Sequence, residues 1–413
     1  MKIIKSRTSN RLSRPLRILS ILRGRWDGQR FPALQALADI GHEIVYVDQI
    51  LNLDGYRKLV RKIKFDVAVL WGSSLVNLLQ TFPETFFLEE EGVPYVSLWT
   101  DNSIKHQVFL KEINTPLHKA MFVPDTLVIQ QLNKLGWNRV FYMPPWHIDS
   151  NIFRPVNPVS ELVCDISFAA TMNSYLAERS KWRANWTPNM HLKADVVIQQ
   201  CRETRDYADV FDLISNELDA GSIEFNKLSH ALYFEQKALA REQLIHSIGG
   251  QEIHIVGIGT ATTNRSNVIM HEGRDWNNLS PLFCSSNINL NLTPWPKSCH
   301  HRIFQIAASG GFVMTDWRED AVNLFEPDHE VVYFKSLSEL PDLIDRFKNM
   351  PEERARIANA GRRRFLNQHT AAHRMEELSV KLYELLWEYQ MKAALLTKPT
   401  NVSVTEVEMP ICT

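Results

Sequence analysis

The sequence predicts an α/β protein built from two doubly wound parallel-sheet domains that face each other across a cleft, with a helical insertion in the second domain. Short apolar runs alternate with helix-period segments, the pattern left by parallel strands covered on both faces. These runs fall into two sets of similar size, and a proline-rich polar stretch divides them. At 413 residues the chain also exceeds what one ordinary core organises.

Taken in order, the first set of strand-like runs covers residues 16–22, 43–47, 66–71, 95–99, 121–123 and 140–143. The pattern then breaks at 144–158, where prolines and polar turn residues crowd together, so the first domain is expected over 1–150 and the second over 151–369. The second set covers 165–170, 252–256, 267–270, 288–292, 312–315 and 331–334. Between about 175 and 250 lies a segment of helical composition in which AERSKWRANW and KALAREQLIHSI each suit an amphipathic helix. The plainer reading makes this insertion an extra layer over the second sheet. The sharper one makes it an acceptor-binding or partner-binding lobe, with Trp182, Trp186 and Tyr233 offering aromatic faces to a sugar. A final helix is expected over 370–397 with Thr370 at its N-cap, followed by a loose tail over 398–413.

Composition removes several function classes. The 46 basic and 47 acidic residues balance, which argues against a general nucleic-acid binder. Cys164, Cys201, Cys284, Cys299 and Cys412 are scattered without paired ligand spacing, so neither a disulfide framework nor a zinc site is expected. The basic start MKIIKSRTSNRLSRPLR lacks a following apolar stretch, and no window is long and apolar enough for a membrane span. A cytoplasmic protein without an integral membrane segment is the expectation.

The most informative stretch is Ser298 to Asp316. Ser298 reads as an N-cap, Arg302, Gln305 and Ser309 recur at helical spacing on one face, and Ile303, Ile306 and Ala307 fall on the other. Gly310 and Gly311 end the helix before a short apolar strand closed by Asp316. A polar stripe on a helix that must also cover a sheet implies something polar opposite, and the helix start is a seat for phosphate.

This stretch, HHRIFQIAASGGFVMTD, together with LFEPDHEVVYFKSLSELPDLIDRF and PEERARIANAGRRRFLNQHTAAHRMEEL, resembles the C-terminal domain of GT-B glycosyltransferases of the CgeB-like, spore-maturation type. GVPYVSLWTDNS and FVPDTLVIQQLNKLGWNRVFYMPPWHIDSNIFRP resemble the N-terminal half of that family. The resemblance implies the GT-B architecture, a terminal helix that packs back on the first domain, and transfer of a sugar from a nucleoside-diphosphate sugar. It also exposes a departure. The family has Glu where this chain has Gln305, and that carboxylate is expected to hold the ribose hydroxyls of the donor; an amide can still accept and donate, without the charge.

Site candidates follow from the rule that ligands lie beyond the carboxyl ends of parallel strands. On the donor side stand Gly257 and Gly259 in a turn after a strand, Asn291 at a strand end, and Arg302 to balance a departing diphosphate. His300 and His301 at the helix start and Gln305 complete the donor set, while Ser309 and Asp316 have weaker claims. On the acceptor side the loop Arg23-Gly24-Arg25-Trp26-Asp27-Gly28 permits close backbone approach, although it lacks Gly-x-Gly-x-x-Gly spacing. Asp101 is a candidate general base, and His147 and Asp149 compete for that role; each carboxylate could equally be a turn former.

The expected reaction is metal-independent glycosyl transfer with no cofactor beyond the nucleotide-sugar donor, since no Asp-x-Asp pair ends a strand of the donor domain. The acceptor is left open among a polysaccharide, a protein and a small molecule. A nucleotide-sugar epimerase or hydrolase, or a non-catalytic sugar-binding or protein-binding scaffold, are the alternatives.

Overall fold

The computed structural model describes residues 1–10, 12–22, 29–83, 86–172, 179–180, 183–184, 186–204, 210–215, 218–257 and 265–396. The first domain is a seven-stranded sheet in the order β1-β3-β2-β4-β5-β6-β7, built from β1 (Lys2–Ile4), β2 (Arg17–Ile21), β3 (Glu43–Val47), β4 (Val67–Trp71), β5 (Tyr95–Leu98), β6 (His118–Val123) and β7 (Val140–Tyr142). All neighbours are parallel except β1, which pairs antiparallel with β3 and puts Ile3 opposite Val45. The second is an all-parallel six-stranded sheet in the order β10-β9-β8-β11-β12-β13, built from β8 (Cys164–Ala169), β9 (Ile253–Val256), β10 (Val268–His271), β11 (Ser286–Asn291), β12 (Val313–Asp316) and β13 (Val332–Phe334).

Continuous apolar strands are what a sheet covered on both faces requires. Thus Val67, Ala68, Val69, Leu70 and Trp71 of β4 are all buried, alternating between two cores. One of these cores lies under the helix Phe31–Ile40 and the terminal helix Ala371–Leu396, whose Met375, Leu378, Leu382 and Leu385 recur at helical spacing and are all buried. Burying such a leucine contributes about 1.5–3 kcal/mol, so a few of them suffice to dock this helix on the first domain.

The insertion departs from the plainer expectation. Its helix Pro188–Thr204 and the front of its long helix Ile223–Ser247 pack through Met190, Val197, Phe225, Leu228 and Leu232 into the first domain's core. Only the rear of the long helix, through Ala240, Leu244 and Ile245, reaches the second sheet. The long helix therefore spans both domains rather than adding a layer to one. Apolar spacing alone did not say which sheet it would meet.

In both sheets the chain reverses its winding beside the first parallel strand, giving switch points between β2 and β4 and between β8 and β11. Such points leave a crevice at the carboxyl ends of the strands. The two crevices meet in one cleft lined by residues of both domains.

Candidate functional site

A cleft of about 400 Å³ lies there. The first domain lines it with Gln29 and Arg30 after β2, Gly72 and Ser73 after β4, and Thr100, Asp101 and Lys105 after β5. The second lines it with Thr171 after β8, Pro294 and Trp295 after β11, and His300, His301 and Arg302. The long insertion helix adds Tyr233, Phe234, Lys237 and Arg241, and the interdomain link adds Trp146 and His147. A larger groove of about 780 Å³ runs between the first helix and the link, along Phe31, Gln35, Asp149 and Thr370. Its charged lining is Lys5, Arg7, Asp39, Asp149 and Glu376, and it contains none of the cations that line the cleft.

The helix expected to start after Ser298 runs from His301 to Ala308. Ser298 cannot cap it, because its amide donates to Asp125 Oδ2 (3.2 Å) and its hydroxyl to the Pro124 carbonyl (2.7 Å), tying the segment to the first domain. His300 takes the N-cap position without a side-chain cap bond, and its Nδ1 meets Asn291 Oδ1 at 2.7 Å. The expected polar stripe also divides. Arg302 faces the cleft; Gln305 is fully buried; Ser309 donates to the Gln305 carbonyl (2.8 Å) and meets the Ser280 hydroxyl at 3.0 Å.

Several sequence candidates therefore change role. Asn291 does not reach the cleft: it is buried, donates to Thr315 Oγ1 (2.9 Å) and steadies His300. Asp316 is held by Arg318 Nε (2.8 Å) and by the Thr293 amide (2.8 Å). At Gly257 a Cβ would overlap the carbonyl oxygen of Ala170, so this glycine serves the close passage of two chain segments rather than a ligand. Asp149 turns away to accept from the Asn151 amide (2.8 Å). Gly24, Gly259 and Trp182 lie outside the described residues. Trp186 packs against the first core, while Tyr233 does line the cleft.

Asp101, His147, His301 and Arg302 all line this cleft. Sequence reasoning missed Arg30, Lys105, Lys237 and Arg241. Lys237 and Arg241 sit one turn apart on the insertion helix, a spacing that on its own signals only a solvated face. Arg30 donates to the hydroxyls of Ser74 (2.6 Å) and Ser73 (2.5 Å). Arg241 donates to the Thr171 carbonyl. Among the described residues Arg302 forms no salt bridge, and its buried Nε has no hydrogen-bond partner.

Such crowding of cations leaves clear marks. Burial first, and then the Arg241 charge, bring Arg302 down to about 9. Burial and Arg241 likewise bring Lys237 down to about 7, with Lys105 and Arg302 adding to the effect and Asp101 opposing it. His147 is lowered to about 3 by burial and by Arg30, and burial drives His300 and His301 well below the ordinary imidazole value. These rings are neutral at physiological pH. For Asp101, desolvation pushes upward but Lys105, Lys237, His106 and His230 outweigh it, so the carboxyl lies below its usual range. Protein atoms crowd Asp101, yet it stays exposed through the cleft mouth and ionised.

Gln305 presents a second oddity. Its side chain has no exposure, and neither amide atom has a hydrogen-bond partner. Each such group costs about 1–3 kcal/mol unless something pairs with it.

Residues 237–379 match the family profile described as glycosyl transferase-like. Among solved structures, the chain is similar to Anabaena Alr3699/HepE in complex with UDP, at 10% identity, covering 89% of this chain and 100% of that one, with a TM-score of 0.52. The same protein in complex with UDP-glucose gives 11% identity, coverage of 89% and 100%, and a TM-score of 0.51. A glycosyltransferase from Rickettsia africae ESF-5 gives 13% identity, coverage of 90% and 99%, and a TM-score of 0.52. No curated protein matches the sequence. At these identities the likeness establishes the fold, two parallel-sheet domains of the GT-B type, as the sequence motifs implied. Among the described residues no helix is long and apolar enough to cross a membrane.

Proposed function

We propose that this protein is a GT-B glycosyltransferase of the CgeB-like group, cytoplasmic, that moves a sugar from a nucleoside-diphosphate sugar to an acceptor hydroxyl without a metal ion. One observation carries the reading: Arg302, Arg241 and Lys237 converge on the switch-point cleft of the second domain beside a helix start without a side-chain cap, and among the described residues no carboxylate of that domain lines the cleft. A diphosphate is the ligand this charge suits.

In the transfer, the acceptor oxygen bonds to the anomeric carbon while the bond from that carbon to the diphosphate oxygen breaks. The electron pair leaves on the diphosphate, and the acceptor proton passes to the Asp101 carboxylate. Negative charge grows on the leaving group, so Arg302, at the positive end of the helix dipole, holds the transition state more tightly than the bound donor. His147, neutral and buried, shapes the cleft beside Asp101.

UDP-glucose, seen with the Anabaena protein of this fold, is the first donor to test. A binding screen of nucleoside diphosphates and their sugars checks the reading, and binding of none of them ends it. The side-chain cations already supply the compensating charge, so the transfer rate should survive EDTA unchanged; an absolute Mn²⁺ or Mg²⁺ requirement contradicts this.

Gln305→Glu restores the family's residue in a site with no partner for it. The free variant should lose more than about 3 kcal/mol of stability where the carboxyl is ionised, because an unpaired buried charge costs more than a neutral group, and burial should drive the carboxyl to take up a proton. Nucleotide should recover that loss only if its binding opens position 305, which does not line the cleft here, to the ribose hydroxyls. Thermal melts with and without UDP read both effects, and a variant that UDP no longer stabilises contradicts this place for the ribose.

Lys237 ties donor binding to pH. Diphosphate charge favours protonated Lys237, so its value of about 7 in the free protein rises on binding. Binding is then strongest below pH 7 and weakens as pH climbs toward the bound-state value. Between pH 7 and 8.5 the Kd for UDP-glucose should rise roughly tenfold. Calorimetry in two buffers should show proton uptake, and Lys237→Arg should flatten the profile; a profile unchanged by that substitution removes Lys237 from the donor site.

A further inference from the structure

The long helix Ile223–Ser247 turns one continuous face to the cleft. Tyr233, Phe234, Lys237 and Arg241 line the cleft, and His230 precedes them on the same face at the spacing of three to four residues that aligns side chains along a helix. Glu235, on another face, is pinned by Arg183 (2.9 Å) and Arg179 (2.9 Å). Asn226, one turn before His230, donates to the Lys105 carbonyl and so fixes the first domain's segment against this helix.

Lys237 sits at the middle of that face, its ammonium 5.6 Å from the Tyr233 ring centre and 6.0 Å from that of Phe234, so it borders both ends of the face. Toward its C-terminus Lys237 and Arg241 join Arg302, a cationic end that the donor diphosphate takes under the reading above. Toward its N-terminus the Lys105 ammonium lies 4.6 Å from the centre of the Tyr233 ring. Lys105 is 93% buried, with only 7% of its surface exposed, and it has no carboxylate within ion-pair distance among the described residues. Asp101 lies near enough to feel the charges of Lys105, Lys237, His106 and His230. His106 and His230 form a ring pair at 6.4 Å, and His230 meets Phe234 at 4.8 Å.

We propose that this end binds the acceptor, and that the acceptor presents a neutral polyhydroxylated group, a carbohydrate hydroxyl face. The assignment rests on the donor reading of the cationic end. A hydroxyl can donate to Asp101 and accept from Lys105 at once, and the Tyr233 and Phe234 rings supply the apolar wall that a sugar's C–H face meets. An acidic acceptor would set its charge against Asp101; a basic one would set it against Lys105 and Lys237.

The test uses the full chain with UDP-glucose as donor and follows UDP release. Maltose and cellobiose serve as neutral acceptors, glucuronate and glucose 6-phosphate as acidic ones, and a serine-rich peptide as a protein surrogate. Acceleration by a neutral saccharide is expected, with Phe234→Ala and Lys105→Met each raising acceptor KM about tenfold. The Kd for UDP should stay within twofold, and Phe234→Tyr should restore KM. UDP binding also shows that a variant has folded. Preference for a sugar acid, sugar phosphate or peptide overturns the proposal, as does UDP binding with no transfer to any neutral saccharide, or unchanged KM in both variants. Failure of wild-type protein to bind any nucleoside diphosphate instead overturns the donor reading, and this assignment falls with it.

Discussion

Arg302→Ala should lower kcat/KM by about 10²–10³ while leaving the fold unchanged. The magnitude is that of removing one preorganised donor from a developing negative charge, about 2.7–4 kcal/mol. Arg302 is suited to the role because it forms no salt bridge among the described residues, so the protein holds its charge in reserve at the start of the His301–Ala308 helix. Its proximity to Arg241 is unfavourable in the free protein, as the depressed value of about 9 indicates. Removing it relieves that repulsion, and the melting temperature should hold or rise. Arg302→Lys should recover part of the rate, since an ammonium keeps the charge but loses the planar multi-donor head. Turnover within threefold of wild type in Arg302→Ala, with UDP still bound, would place the leaving group elsewhere.

Much of this architecture was legible because parallel sheets leave a plain record. Every one of the twelve expected strands is present, within a few residues at either end. Strand β1 escaped notice for a physical reason: Lys2–Ile4 has three residues on an exposed edge, and an edge strand buries too little to need an apolar run. The helix at 301 was legible in its position but not in its start. Ser298 looks like a cap by type, yet its bonds to Pro124 and Asp125 join the domains, and such contacts leave no trace in local sequence.

The site was legible only where a motif marked it. Arg302 stood inside a recognisable pattern, and Asp101 and His147 followed from strand ends and the interdomain link. Lys105, Lys237 and Arg241 had no such mark, because lysines and arginines on helices are ordinarily solvated. What singles them out is the insertion helix crossing between domains, a tertiary fact. Conversely, Asn291 and Ser309 were polar residues at plausible positions that the fold uses to hold its own parts together.

Asp101→Asn should reduce kcat by about 10²–10³, the usual contribution of a positioned proton acceptor. Donor binding should behave in the opposite way. The Asp101 carboxylate opposes an incoming diphosphate, so at a pH low enough to keep Lys237 protonated in both proteins neutralising it should leave UDP affinity unchanged or tighter. The same carboxylate props up protonation of Lys237 against Arg241, Lys105 and Arg302. Without it Lys237 should titrate below its wild-type value of about 7. Because that lysine binds diphosphate best when protonated, the weakening of UDP-glucose binding with rising pH should begin at a lower pH in the variant. Rate and binding profiles measured on one preparation separate these effects. A purely structural carboxylate would lower the melting temperature and leave the surviving enzyme's kcat intact, whereas a base that takes the acceptor proton predicts slow turnover on a donor that still binds.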